Sequence, residues 1–163
     1  MIGSNLLLAA AAFGIVAGQP LPKGAVQKKY DPSLYTVRPP QPNAYFSYYV
    51  AKSTPQTGVC QIWAETPSAV DDSGLMAKFN EIKSTLASLY GSPEPMTPKE
   101  TSVFLRYGMD AAWGGGGRRL PPGITDILLV KDVEPYTITV IYTFSNWRAC
   151  KAASVPAHRK QGL

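Results

Sequence analysis

The sequence predicts an α+β fold, an antiparallel sheet of two hairpins with helices packed on one face. Three observations carry that expectation. Residues 44–66 and 124–144 each hold two runs rich in aromatic and branched residues around a central turn, and one amphipathic stretch with helical spacing lies between them. An amphipathic helix needs an apolar sheet face to bury its stripe, which leads to two packed layers. The 163 residues are 45% hydrophobic and 17% charged, enough for one compact domain and too little for a second.

The chain opens with an apolar run, Leu6–Gly18, of a length that suits the core of a secretory leader and falls short of the roughly 20 residues a helix needs to span a bilayer. No transmembrane span is expected. Small-residue cleavage patterns occur at Ala10–Ala12 and Val16–Gly18, and no Cys follows that would take a lipid anchor. Against export, no Lys or Arg precedes the run, and Lys23, Lys28 and Lys29 follow it, where positive charge resists translocation. The competing reading makes Phe13-Gly14-Ile15 a buried strand of the domain. The expected organisation is a short leader at 1–12, a single domain at 13–155 and a basic tail at 156–163. The expected location is periplasmic or secreted, with the cytoplasm as the alternative.

Within the domain, residues 37–43 hold three prolines and read as an extended connector. Residues Ala44–Lys52 and Val59–Thr66 form the first hairpin across Ser53–Gly58; along the second strand Cys60, Ile62 and Ala64 alternate with Val59, Gln61, Trp63 and Glu65. Asp71 and Asp72 supply an N-cap and favourable charge for a helix carrying Leu75, Phe79, Ile82, Leu86 and Leu89 on one face, stopped by Gly91 and Pro93. A second, less regular helix is expected over 99–113, with Val103, Leu105 and Tyr107. Gly114–Gly117 and the following Arg118, Arg119, Pro121 and Pro122 must be loop. Ile124–Lys131 and Tyr136–Phe144 form the second hairpin, with Tyr136, Ile138, Val140, Tyr142 and Phe144 on one face and Thr137, Thr139, Ile141 and Thr143 on the other. Ser145 or Asn146 caps a short last helix holding Trp147 and Cys150.

An ordered set of motifs resembles a group of small uncharacterised bacterial proteins. It comprises Phe13-Gly14-Ile15 with Gly18 and Leu21, Pro39-Pro40-Gln41-Pro42, Gly58-Val59-Cys60-Gln61-Ile62, Phe79 through Tyr90-Gly91, and Tyr142 through Asn146 with Cys150. Their order of helix and sheet is distantly similar to the fold of outer-membrane assembly lipoproteins of the BamE type. The resemblance spans about 13–150, implies architecture and no catalytic residue, and places Phe13 inside the domain. Ala17, Pro20 and the Gly114–Gly117 loop depart from the group's pattern.

Charge narrows the function classes. The total is +5, but residues 23–40 carry +3 and residues 148–163 carry +4, which leaves 41–147 mildly acidic. A nucleic-acid binder would carry a basic stripe on its folded surface, so that role is disfavoured. One His and two Cys leave no ordinary metal ligand set, and neither a metal nor a cofactor is expected. Cys60 and Cys150 either form one disulfide, in an oxidising compartment, or stay buried thiols in a reducing one. Cys–His catalysis is disfavoured because the single imidazole, His158, sits in the basic tail. Arg118 and Arg119 beside the glycines offer an anion site, although the stretch lacks the Lys-Ser/Thr of a phosphate loop and reads more simply as a linker. Tyr45, Tyr49 and Trp63 form a binding patch if they point outward, and core if they point inward.

The resulting expectation is a non-enzymatic protein-interaction or assembly module, of the bacterial envelope or element-encoded, whose partner is another protein. The alternatives are a small enzyme with a carboxylate-based site and a binder of nucleic acid or membrane surface through the basic tail.

Overall fold

A computed structural model describes residues 10–94, 109–114, 120–133 and 135–154. Nine strands and two helices occur among them. A two-stranded sheet joins β1 (Ala11–Ala12) to β2 (Ile15–Val16). The main sheet holds β3 (Val26–Gln27), β4 (Leu34–Thr36), β5 (Tyr48–Thr54), β6 (Gly58–Glu65), β7 (Met109–Trp113), β8 (Ile124–Val133) and β9 (Tyr136–Phe144). Its order is β3-β4-β5-β6-β9-β8-β7, and every pairing is antiparallel. The helices are α1 (Asp72–Tyr90) and α2 (Trp147–Ala153). The α+β class and the antiparallel sheet are those expected; the two hairpins, β5–β6 and β8–β9, meet where β6 pairs with β9.

The period of two sorts the side chains into two faces. On the inner face Tyr49, Ala51, Ile62, Ala64, Ile127, Leu129, Ile138, Val140 and Phe144 form the core with Leu75, Phe79, Ile82 and Leu86 of α1. Helix α1 starts where the Asp71 carboxylate accepts the Gly74 N–H at 2.8 Å, and it ends at Gly91, whose positive φ of 85° suits glycine. Leu89 departs from its expected place on the buried stripe. It stands on the margin of that stripe in the last turn and is 66% exposed.

The N-terminal hairpin packs on the same face as α1. Ala12 and Ile15 pair and are buried in the core, and Phe13 and Gly14 make the two-residue turn with φ of 55° and 76°. Phe13 places its ring 5.2 Å from Tyr49, 5.6 Å from Tyr142 and 5.8 Å from Phe46, each edge to face. Ala11–Ala12 are β1 and Ala10 O accepts the Ala17 N–H at 2.8 Å, within the stretch 1–12 for which a short leader is one of the two expectations, while residues 1–9 lie outside the described residues. The proline-rich connector crosses this hairpin: Gln41 N–H donates to Phe13 O at 3.0 Å, and Val37 N–H donates to Tyr49 O at 3.1 Å.

The expected helix over 99–113 is corrected at its C-terminal end. Residues 109–113 are strand β7, with Ala111 opposite Leu129 and Trp113 opposite Ile127. The sequence Ala111-Ala112 favours helix by local propensity, but the free edge of β8 and the burial of Ala111 and Trp113 outweigh it. Residues 99–108, residues 115–119 and the basic tail with His158 lie outside the described residues.

An irregularity in β6 fixes the second helix. Lys52 opposes Gln61 and Ser53 opposes Val59, so Cys60 is an extra residue bulged between them. Val59 stays with the inner core, and Cys60 passes to the outer face, where it is disulfide-bonded to Cys150 of α2. Helix α2 thus attaches to the outer face at the β5–β6 turn, rather than beside α1. Asn146 Nδ2 donates to Thr57 O and Val59 O at 3.1 and 3.0 Å, and Lys52 lies over the Trp147 ring at 5.8 Å.

Candidate functional site on the outer sheet face

Beyond the reach of α2, the outer face carries a groove of about 280 Å³ lined by Tyr48 and Val50 of β5, Trp63 and Glu65 of β6, Thr139 and Ile141 of β9, and Val130 of β8. Strand register arranges it in two rows. Val50, Trp63 and Ile141 stand side by side, and next to them stand Tyr48, Glu65, Thr139 and Val130. The floor is apolar, with Val50 and Val130 buried.

Trp63 is held by a short polar chain. Its indole N–H donates to Gln61 Oε1 at 2.8 Å, and Gln61 Nε2 donates to Thr143 Oγ1 at 3.0 Å. Gln61 and Thr143 are both buried, so the chain fixes the ring's orientation within the row.

One end of the groove is polar. The Lys28 ammonium donates to the Tyr48 hydroxyl and lies 4.9 Å from the centre of the Tyr48 ring, while Thr36 Oγ1 is 3.3 Å from the same hydroxyl. Burial pushes the Tyr48 hydroxyl up, but the Lys28 and Thr36 contacts outweigh it and hold the group below the usual phenol range. The same bond to Tyr48 holds Lys28 above the usual ammonium range. Glu65 behaves in the opposite sense to an ion-paired carboxylate. Burial, and then the nearby Asp132 charge, push it above the usual carboxyl range, with Lys28 opposing in part. No hydrogen bond from the described residues reaches its carboxylate.

The residues singled out by sequence fall in different places. Trp63 forms the groove. Tyr49 lies on the inner face, 5% exposed, with its hydroxyl accepting the Asn43 N–H at 2.9 Å. Tyr45 is on the α1 side, where its hydroxyl donates to Glu81 Oε1 at 3.0 Å and Lys78 lies 5.3 Å from its ring centre. The three aromatics therefore do not form one patch. Arg118 and Arg119 lie outside the described residues. Tyr48, Val50, Glu65, Val130, Thr139 and Ile141 were not singled out, although alternation in β6 and β9 already grouped Trp63 with Glu65 and Thr139 with Ile141. The missing information was the register that sets β6 beside β9.

Chemically, the groove can seat apolar groups against Trp63 and hold a polar group at the Tyr48–Glu65 end. Among the described residues no cluster of His, Cys, Asp and Glu has the makings of a metal site, and no helix is long and apolar enough to cross a membrane. Compared with protein-family models, curated proteins and solved structures, the chain matches none.

Proposed function

We propose that this protein is a non-enzymatic interaction or assembly module that engages another protein through the outer sheet face, and that it works in the bacterial envelope. The groove around Trp63 carries the proposal. It places an oriented indole and three aliphatic side chains on a sheet face that α1 does not cover. Aromatic anchors set among aliphatic neighbours are the usual energetic centres of protein contacts. The Cys60–Cys150 disulfide supports an oxidising location, periplasmic or secreted, because such bonds persist there and are rare in the cytosol. A second reading, a small enzyme with a carboxylate-based site, has Glu65 in its favour, since a carboxyl raised by burial in a groove suits acid–base chemistry. Asp132 and Lys28 act on Glu65 through their charge alone, and no hydrogen bond among the described residues joins it to a second acid, base or nucleophile, so the interaction reading is preferred.

The test is site-specific photo-crosslinking in the native cell, with the crosslinker at Ile141 and, as control, at the exposed Leu89 of α1. The reading predicts one defined protein adduct at Ile141, absent at Leu89 and lost in Trp63→Ala. Equal adducts at both positions, or none at Ile141, would overturn it.

A further inference from the structure

We infer that the partner presents to this groove an extended segment with an apolar residue two places from a Lys or Arg, the apolar side chain resting on Trp63 and the cation on Glu65. This rests on the reading of the outer face as a protein-binding surface and names what that surface selects.

Spacing is the first argument. Trp63 and Glu65 are two residues apart on β6, and both point into the groove. An extended partner chain repeats with the same period, so its residues i and i+2 reach the two rows together. One row, Val50, Trp63 and Ile141, is apolar throughout. The other centres on Glu65, flanked by Tyr48 and Thr139. A volume of about 280 Å³ accommodates one or two side chains, which matches a short segment better than a folded surface.

Charge is the second argument. Glu65 is the groove's carboxylate, and Asp132 stands near enough to repel it. A half-buried carboxylate that accepts no hydrogen bond from the described residues has lost water for only the partial attraction of Lys28. A purely apolar occupant would strip more water from it, and an anion would add to the repulsion that Glu65 already feels. A cation supplies the missing partner. Lys28 fills the role only in part, since its ammonium is engaged with the hydroxyl and ring of Tyr48 and acts on Glu65 through charge alone.

The experiment is an NMR titration of the full-length oxidised protein with three probes: acetyl-Leu-Ser-Arg-amide, acetyl-Leu-Ser-Gln-amide and acetyl-Leu-Ser-Glu-amide. The Trp63 indole N–H and the Thr139 and Ile141 amides are followed near neutral pH. The Arg peptide is expected to shift these signals saturably, about tenfold more tightly than the Gln peptide, with no response to the Glu peptide. Glu65→Gln should reduce the Arg peptide to the level of the Gln peptide. Should that variant not fold, lowering the pH until Glu65 protonates in the wild type should erase the same preference. Arg and Gln peptides binding the groove equally would sink the cation inference and leave the docking face standing. No saturable shift with any peptide, alongside a retained crosslink at Ile141, would also overturn it while sparing the docking surface; loss of both would remove the two together.

Discussion

Cys60 meets Cys150 because β6 carries one residue more than its partner strand at that point. Without the bulge between Lys52 and Ser53, strict alternation would keep Cys60 on the side of Ile62 and Ala64, facing α1. The bond closes a loop with a sequence separation of 90. Chain-entropy arguments put its contribution at about 4–5 kcal/mol. Denaturant unfolding of the native protein and of a Cys60→Ala/Cys150→Ala variant should differ by about that amount, and the intact mass of the native protein should be two hydrogens below that of the dithiol. Equal midpoints would show that the bond does not constrain the unfolded chain.

Helix α1 gives a paired comparison along one stripe. Phe79 is buried against the sheet and Leu89 is exposed. Phe79→Ala should cost about 3–5 kcal/mol through lost contacts and a residual cavity. Leu89→Ala should stay within about 0.5 kcal/mol of wild type. Thermal or urea unfolding of the two variants checks both values.

Gly58 opens β6 with φ of +67°, and a Cβ there would lie 2.4 Å from the Gly18 carbonyl carbon and oxygen. Both neighbours are backbone and cannot swing aside. Gly58→Ala combines this clash with a left-handed backbone, and a loss of about 3 kcal/mol or more is expected. Gly24, also at positive φ but with nothing near its Cβ position, should lose about 1 kcal/mol on the same change.

The pH dependence of stability should carry the signature of Glu65. Burial and Asp132 raise its folded-state value, with Lys28 opposing, so the folded protein holds that proton more tightly than the unfolded chain. The stabilisation is complete below the unfolded-state carboxyl range and is lost as pH rises through the raised folded-state value. Glu65→Gln removes this loss, so its melting temperature should gain on wild type as pH rises from about 4 to about 8. Asp126 is also raised by burial and has the same sign, but it is common to both proteins and cancels in the comparison. A gap that stays constant with pH would contradict this.

The legible parts of the fold were those with long local patterns. Residues 72–90 announced a helix through Asp71, the Leu75–Leu86 stripe and Gly91, and β9 announced both its faces through Ile138 and Val140 against Thr139 and Ile141. Strand β7 was not legible because Ala111 and Ala112 favour helix until β8 offers them a ladder. Short β3 and β4 hold too few residues to show any period. At the site, Trp63 was visible as a candidate, while Tyr49 could be assigned to a face only once its register with Ala64 was known. The bulge at Cys60 is the clearest limit: nothing in Gly58-Val59-Cys60-Gln61 marks where alternation slips by one.

The joining of β6 to β9 also sets the order of assembly. Each hairpin can zip up on its own within about 1–10 μs, but bringing the two together loops out the stretch from 66 to 123, and closing so long a detour is the slow event. Cys60 rides on the first hairpin, and Cys150 follows directly after the second. Their sulfurs come together only after that closure, so oxidation acts late, as a latch on a finished topology rather than as a guide towards it.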